Sequence, residues 1–338
     1  MLSERRKLFS LLAEKSPMQR RLRAVALVIA LLLSLHPPVR AQPEWTPPPV
    51  SKLVILDVAE ASSGWVDKDR FTNFFVQEVR RMDLQLEVVI LQKIEDWEKL
   101  LEEGPSDVIV VNAHGEVIPL PSSYRADWCA FLGRLARMVR DKGWVLVNPV
   151  GYAFWTVGNS KEPEIGSVKI IGEEGLSCFT AELGLTATAW PPVPESEAYG
   201  KPSELARRLF DVLGYDMPAS IPVPRPLRLF NGSGEILPLW SLLEMRNNVT
   251  AYGFAVYRVG QGYLLWGGLH GGVTDEIAAQ LTAAAIAYFV EPEVVSRPPA
   301  LKRSQLYVIA FAGVGGALAA ILASFKAFRG RRRVKRRS

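Results

Sequence analysis

Between residues 52 and 148 the chain alternates short apolar runs with stretches whose apolar positions recur at helical spacing. Residues 52–58 (KLVILDV), 84–91, 107–111 and 144–148 are dominated by aliphatic and β-branched side chains, as suits strands of a parallel sheet covered on both faces. Between them, residues 71–82, 94–103 and 124–142 carry apolar side chains every three or four positions. Asp67 or Asp69 is available to cap the first of these helices, and Gly104 and Gly143 close the other two. Strand–helix repetition of this kind predicts an α/β fold with a doubly wound, mostly parallel sheet and right-handed crossovers.

After Pro149 the pattern loosens. Helices are predicted over 173–183, over 203–213 with Ser203 as cap, and over 275–290, with extended proline-rich passages at 186–194 and 218–226. Short strands are expected around 227–230 and 236–239. A hairpin of residues 251–259 and 263–269, turning at Gly260-Gln261-Gly262, closes the domain.

The third apolar run breaks off in a polar loop, Asn112-Ala113-His114-Gly115-Glu116. Ligands of open α/β sheets bind just beyond the carboxyl ends of the strands, so this loop marks the expected functional edge. The chain has three histidines, and one of them stands here. Asp57 and Asn148, at the ends of the first and fourth strands, point to the same region, and Tyr152, Phe154 and Trp155 follow close by. These aromatics serve either as a stacking surface for a sugar or peptide or as cover for the core.

The overall charge of +5 would suggest a nucleic-acid binder, but its distribution rejects that class. Residues 1–41 hold 8 Lys/Arg and 2 acids, and residues 305–338 hold 8 Lys/Arg and no acid. The middle keeps 24 basic and 33 acidic residues, a net of −9. Both basic ends read as membrane-targeting segments. Arg20, Arg21 and Arg23 precede the apolar run 24–35, then come Pro37, Pro38 and the small-residue pattern Val39-Arg40-Ala41, as in a secretory signal peptide over 1–41 with Met18 as an alternative start. An uncleaved signal anchor is the other reading of this segment.

Residues 42–51 form a Pro-rich spacer. Residues 305–325 hold an apolar stretch long enough to span a bilayer, flanked by a linker at 291–304 and a basic tail at 326–338. The tail's Lys and Arg place it in the cytoplasm and residues 52–290 outside, in a single-pass cell-membrane protein whose partners are the lipid bilayer and a membrane or cell-surface protein. In that compartment Cys129 and Cys178 are free either to pair or to remain buried thiols. Asn231 and Asn248 lie in N-glycosylation sequons.

The succession DVIVVNAHGEVIPLP, long helix, WVLVNP, together with the closing AVYRVGQGYLLWGGLHGG, resembles the class I glutamine amidotransferase-like superfamily, in its ThuA-like, non-amidotransferase branch. The resemblance covers residues 52–290 and implies that fold. Glutamine amidotransferases place a nucleophilic Cys on a sharp turn after a buried strand, assisted by a His and an acid. Here the corresponding turn reads Pro149-Val150-Gly151-Tyr152, and Cys178 lies well beyond it. His270 takes the family's histidine-like position, but the residues after it are Gly271-Gly272-Val273. The chain is therefore not expected to act as a glutamine amidotransferase.

The expected function is a non-catalytic ligand-binding or assembly module without a cofactor. Its cleft would be lined by Asp57, Asn112, His114, Glu116, Asn148, Tyr152, Trp155 and His270. The alternative is a membrane-tethered hydrolase of a carbohydrate or amide that uses His114, Glu116 and His270, with or without a metal. A third role for His114 and Asn112 is simply to satisfy backbone groups in a tight loop.

Overall fold

The computed structural model describes residues 47–152, 154–158, 169–188, 198–245, 251–269, 273–300 and 302. The predicted signal segment, the membrane span, His270 and the Asn248 sequon lie outside these residues. Among the described residues no helix is long and apolar enough to cross a membrane.

The alternating first half folds as its pattern predicts. Strands β1 (Lys52–Leu56), β2 (Glu87–Leu91), β3 (Val108–Asn112) and β5 (Val145–Val150) alternate with helices α1 (Lys68–Met82), α2 (Ile94–Glu103) and α3 (Trp128–Lys142). The helical spacing that begins near residue 124 is split. Ser122–Tyr124 forms a 3-10 turn, and α3 starts only after Asp127, whose carboxylate accepts the Ala130 N–H. At the start of α1 it is Asp67, not Asp69, that caps, accepting the Arg70 N–H.

The second half adds β9 (Tyr199–Pro202), β10 (Ile221–Pro222), β13 (Trp240–Met245), β14 (Tyr252–Val259) and β15 (Gly262–Leu269) to the same sheet. Helices α4 (Glu173–Glu182), α5 (Glu204–Leu213) and α6 (Asp275–Val290) accompany them. The nine strands run in the order β10-β9-β13-β14-β15-β5-β3-β1-β2. From β15 to β2 every pairing is parallel, whereas from β15 outward to β10 every pairing is antiparallel.

Taken in chain order, the five parallel strands form the 2-1-3-4-5 arrangement of one common doubly wound sheet. The antiparallel extension follows from the predicted hairpin, with Gly260 at φ +61 in its turn, and from β13, which lay hidden among prolines and short runs. Two small three-stranded sheets flank the main one. The first contains β4 (Val117–Ile118), β6 (Thr156–Val157) and β7 (Lys169–Ile170); the second contains β8 (Thr186–Thr188), β11 (Arg228–Asn231) and β12 (Gly234–Ile236). Asn231 closes the β11–β12 turn, where its Oδ1 accepts the Ser233 and Gly234 N–H groups.

Strand alternation divides the core into two layers. Val54, Leu56, Val108, Val110 and Leu146 face one side, in a single cluster with Trp97 and Leu101 of α2 and Phe131, Leu135 and Val139 of α3. The intervening Leu53, Ile55, Ile109, Val111, Val145 and Val147 are equally buried and face the other side, where α1 packs along α6 and α6 contacts β5. Two indoles of this core are hydrogen-bonded to backbone carbonyls: Trp97 donates to that of Pro119 at 3.1 Å and Trp144 to that of Pro105 at 2.6 Å.

The two cysteines, left open between pairing and free thiols, form a disulfide that joins α3 to α4 with their Cα atoms 5.4 Å apart. Their helical, partly apolar setting does not prevent pairing, because the two helices pack side by side and bring the residues within reach.

Candidate functional site

In the 2-1-3-4-5 arrangement the crevice for a ligand opens where the connections diverge, between the carboxyl ends of β1 and β3. In this protein the two loops leaving those strands are laced together across it. The Gly64 N–H donates to the His114 carbonyl at 2.9 Å, and Gly64 and Gly115 form a parallel bridge. Gly115 is required there: its φ is +67, and a Cβ would strike the Gly64 carbonyl oxygen.

His114 fills the crevice and is fully buried. Its Nε2 accepts the Val58 N–H at 2.9 Å, and its Nδ1 lies 2.8 Å from the Ser62 carbonyl oxygen. An amide N–H can only donate and a carbonyl can only accept, so these partners define the tautomer: neutral imidazole with the proton on Nδ1. Burial lowers its pKa to about 4, against a smaller opposing effect of the bond to Ser62. Neither nitrogen is left to bind a metal or move a proton. Of the roles open to His114, satisfying backbone groups is the one this geometry performs.

Asn112 and Asn148 likewise turn inward. Asn112 Nδ2 donates to the carbonyls of Gly115 and Val117 and to Asn148 Oδ1 at 2.9–3.0 Å, while its Oδ1 accepts the His114 N–H. Asn148 Nδ2 donates to the Val150 carbonyl. The pair thus joins the ends of β3 and β5, with its polar atoms spent on the protein itself.

Glu116 gathers three segments. Oε2 accepts the Trp65 indole N–H at 2.6 Å, Oε1 accepts the Tyr152 N–H at 3.2 Å, and Arg225 Nε stands 4.0 Å from Oε1. Gly151 allows this approach, since a Cβ there would lie 2.7 Å from that of Glu116.

Of the aromatics after β5, Tyr152 and Phe154 serve as core cover. Tyr152 and Phe154 are buried, with the Phe154 ring stacked on Phe179 at 4.2 Å and Tyr152 between Trp155 and Trp266. Trp155 is half-buried against the Tyr152 ring. The left-handed turn at Gly151 folds this segment back onto the sheet, which the sequence pattern did not reveal.

Asp57 is nearly buried at the end of β1 and accepts a 2.8 Å bond from Lys68 Nζ in the first turn of α1. Burial of the ammonium opposes its charge. Its bonds to Asp57 and Asp69 outweigh that, so the Lys68 pKa lies above the usual lysine value. Among the described residues no three His, Cys, Asp or Glu side chains converge as a metal ion would require.

An open cleft of about 380 Å³ lies beside this laced crevice, between the amino ends of α1 and α6. Trp65, Asp67 and Arg70 form one wall, and Val273, Thr274 and Asp275 form the other. The walls are tied by the Asp67 N–H, which donates to Asp275 Oδ1 at 3.1 Å, and by Arg70 Nε, 3.6 Å from Asp275 Oδ2. Trp65 is 48% exposed and holds φ at +66, a conformation rare for a bulky side chain. No local pattern marks Trp65, Arg70 and Asp275 as one site, because they come together only through the packing of α1 against α6. The sequence signal for it is a tryptophan placed after a glycine, Gly64-Trp65, in a polar loop beyond a buried strand.

No family model matches the chain, and no curated protein matches it. Among solved structures, it is similar to a ThuA-like protein from Bacteroides uniformis at 14% identity and a TM-score of 0.32, over 77% of this chain and 99% of that one. A likeness of that score carries no conclusion about what this chain does.

Proposed function

We propose that this protein is a single-pass membrane protein whose extracytoplasmic α/β domain binds a ligand or partner protein without transforming it. The observation that carries this reading is the environment of His114. The residue best placed for catalysis plugs the crevice at the β1/β3 switch point with both ring nitrogens engaged by backbone groups. Glu116, the candidate acid beside it, is held by Trp65 and Tyr152. Among the described residues, the Trp65–Arg70–Asp275 cleft is open to solvent; its exposed indole and guanidinium offer stacking and hydrogen bonding, while its carboxylates Asp67 and Asp275 are engaged by the Arg70 N–H, the Asp67 N–H and the Arg70 guanidinium.

The anchored, extracytoplasmic placement is supported by the signal-like and spanning sequence patterns and by the Cys129–Cys178 disulfide, a bond of oxidising compartments. The same disulfide leaves no cysteine thiol for amidotransferase chemistry. The resemblance to the ThuA-like branch of the amidotransferase-like superfamily belongs to this proposal too, through the succession of elements.

The test uses the full-length protein in lipid nanodiscs. Chromogenic glycosides and anilides are expected to remain intact. A photo-crosslinking residue at position 70 is expected to yield a discrete adduct in native membranes that is lost on Trp65→Ala. Hydrolysis abolished by His270→Ala would replace this reading with the membrane-tethered hydrolase.

A further inference from the structure

Both poles of the parallel sheet can be located from described contacts. The carboxyl pole holds the cleft: Lys68, at the start of α1, bonds Asp57 just after β1, and Asp275, at the start of α6, bonds the Asp67 N–H. The amino pole holds the other end of α1, because the chain leaves Met82 and enters β2 at Glu87, opposite Lys52 at the beginning of β1. Helix α1 has 15 residues and so separates the poles by about 22 Å. Helix α6, packed along it, also runs from the carboxyl toward the amino pole.

The chain after α6 is fastened at the amino pole. Arg208 of α5 donates to the carbonyls of Val295 and Arg297 at 2.7 and 2.9 Å. Farther along α5, the Asp211 carbonyl accepts the Ala300 N–H, and its carboxylate pairs with Lys302 Nζ at 3.0 Å. Just beyond α5, the Tyr215 hydroxyl donates to Glu78 in the last turns of α1, and Arg81 lies 4.8 Å over the Tyr215 ring. These contacts place Lys302 beside the amino pole. Residue 305, where the predicted membrane span begins, is three residues further, a reach of about 10 Å at full extension.

We infer that the domain stands on the bilayer through its amino pole, beside the α5–Lys302 contact, and presents the Trp65–Arg70–Asp275 cleft away from the lipid. This rests on the membrane-anchor reading of residues 305–325. The cleft is thereby open to a soluble molecule or to a protein outside the membrane, and closed to the lipid surface and to a membrane-embedded ligand.

The experiment uses the full-length chain in nanodiscs whose lipids carry a headgroup nitroxide. Both native cysteines are bonded to each other, so a fluorophore attaches only at an introduced thiol. Asp69→Cys and Arg80→Cys are exposed positions on the same face of α1, eleven residues and about 16 Å apart along its axis, and Asn73→Cys is a second site near the carboxyl pole. Nitroxide quenching is expected to be severalfold greater at position 80 than at 69 or 73. Equal or reversed quenching in protein that floats with vesicles overturns the orientation and leaves the anchor intact. Protein that fails to float with vesicles overturns the anchor, and the orientation with it.

Discussion

The Nε2 of His114 accepts the backbone N–H of Val58 at 2.9 Å, which ties the loop after β3 to the loop after β1. The bond on the other ring nitrogen, to Ser62, completes a neutral imidazole sealed between two strand ends. This arrangement has a direct consequence for stability.

Stability falls on mild acidification. The unfolded imidazole takes up a proton near pH 6.5, whereas the folded one resists until about pH 4. Between these values the unfolded state binds more protons, so stability is fully present above pH 6.5 and declines as pH falls toward 4, by about 3 kcal/mol. Urea unfolding across this range measures the slope, and His114→Gln should flatten it. An unchanged slope in that variant would assign the acid sensitivity to other groups.

Replacing Lys68 by Met leaves the Asp57 carboxylate nearly buried without its counter-charge. The expected cost is about 3 kcal/mol, and the double variant Asp57→Asn/Lys68→Met should recover part of it. Additive losses in the double-mutant cycle would show that the pair is not coupled.

Gly115→Ala combines a left-handed backbone with a clash against the Gly64 carbonyl. It should lower the unfolding free energy by about 2–4 kcal/mol, seen as a lower urea midpoint with the slope of the transition unchanged. Gly184 also has a left-handed φ, of +66, but nothing within 4 Å of an added Cβ, and substitution there should cost less.

The Cys129–Cys178 bond closes a loop of 49 residues between α3 and α4. The double Ser variant, or reduction by dithiothreitol, should lower unfolding stability by about 2–4 kcal/mol. Calorimetry of oxidised and reduced protein gives the comparison, and equal melting temperatures would contradict it.

Trp65→Gly relieves a bulky residue of its left-handed backbone while removing the indole bond to Glu116. These effects are each about 1 kcal/mol and opposed, so net stability should change by less than about 1 kcal/mol. Crosslinking through position 70 should nevertheless be lost. A large loss of stability would show Trp65 to be a structural residue.

The α/β class, the first four strands and the helices between them could be read from residue pattern alone, because two-sided burial imposes continuous apolar runs and amphipathic spacing records each helix. The α6 boundaries, Asp275–Val290, agree with the helix predicted over 275–290, and the structure adds Thr274 as its cap. Three features were decided only by the tertiary structure. Beyond the predicted β14–β15 hairpin, the antiparallel strands β13, β9 and β10 depend on pairings between segments whose local pattern is weak. The disulfide depends on how α3 and α4 pack. Above all, the NAHGE loop has the residue types of an active site, and nothing local tells whether its imidazole faces solvent or two backbone groups 52 and 56 residues away. Long-range hydrogen bonds made that choice: they placed His114 inside the crevice and left Trp65, Arg70 and Asp275 around the open cleft.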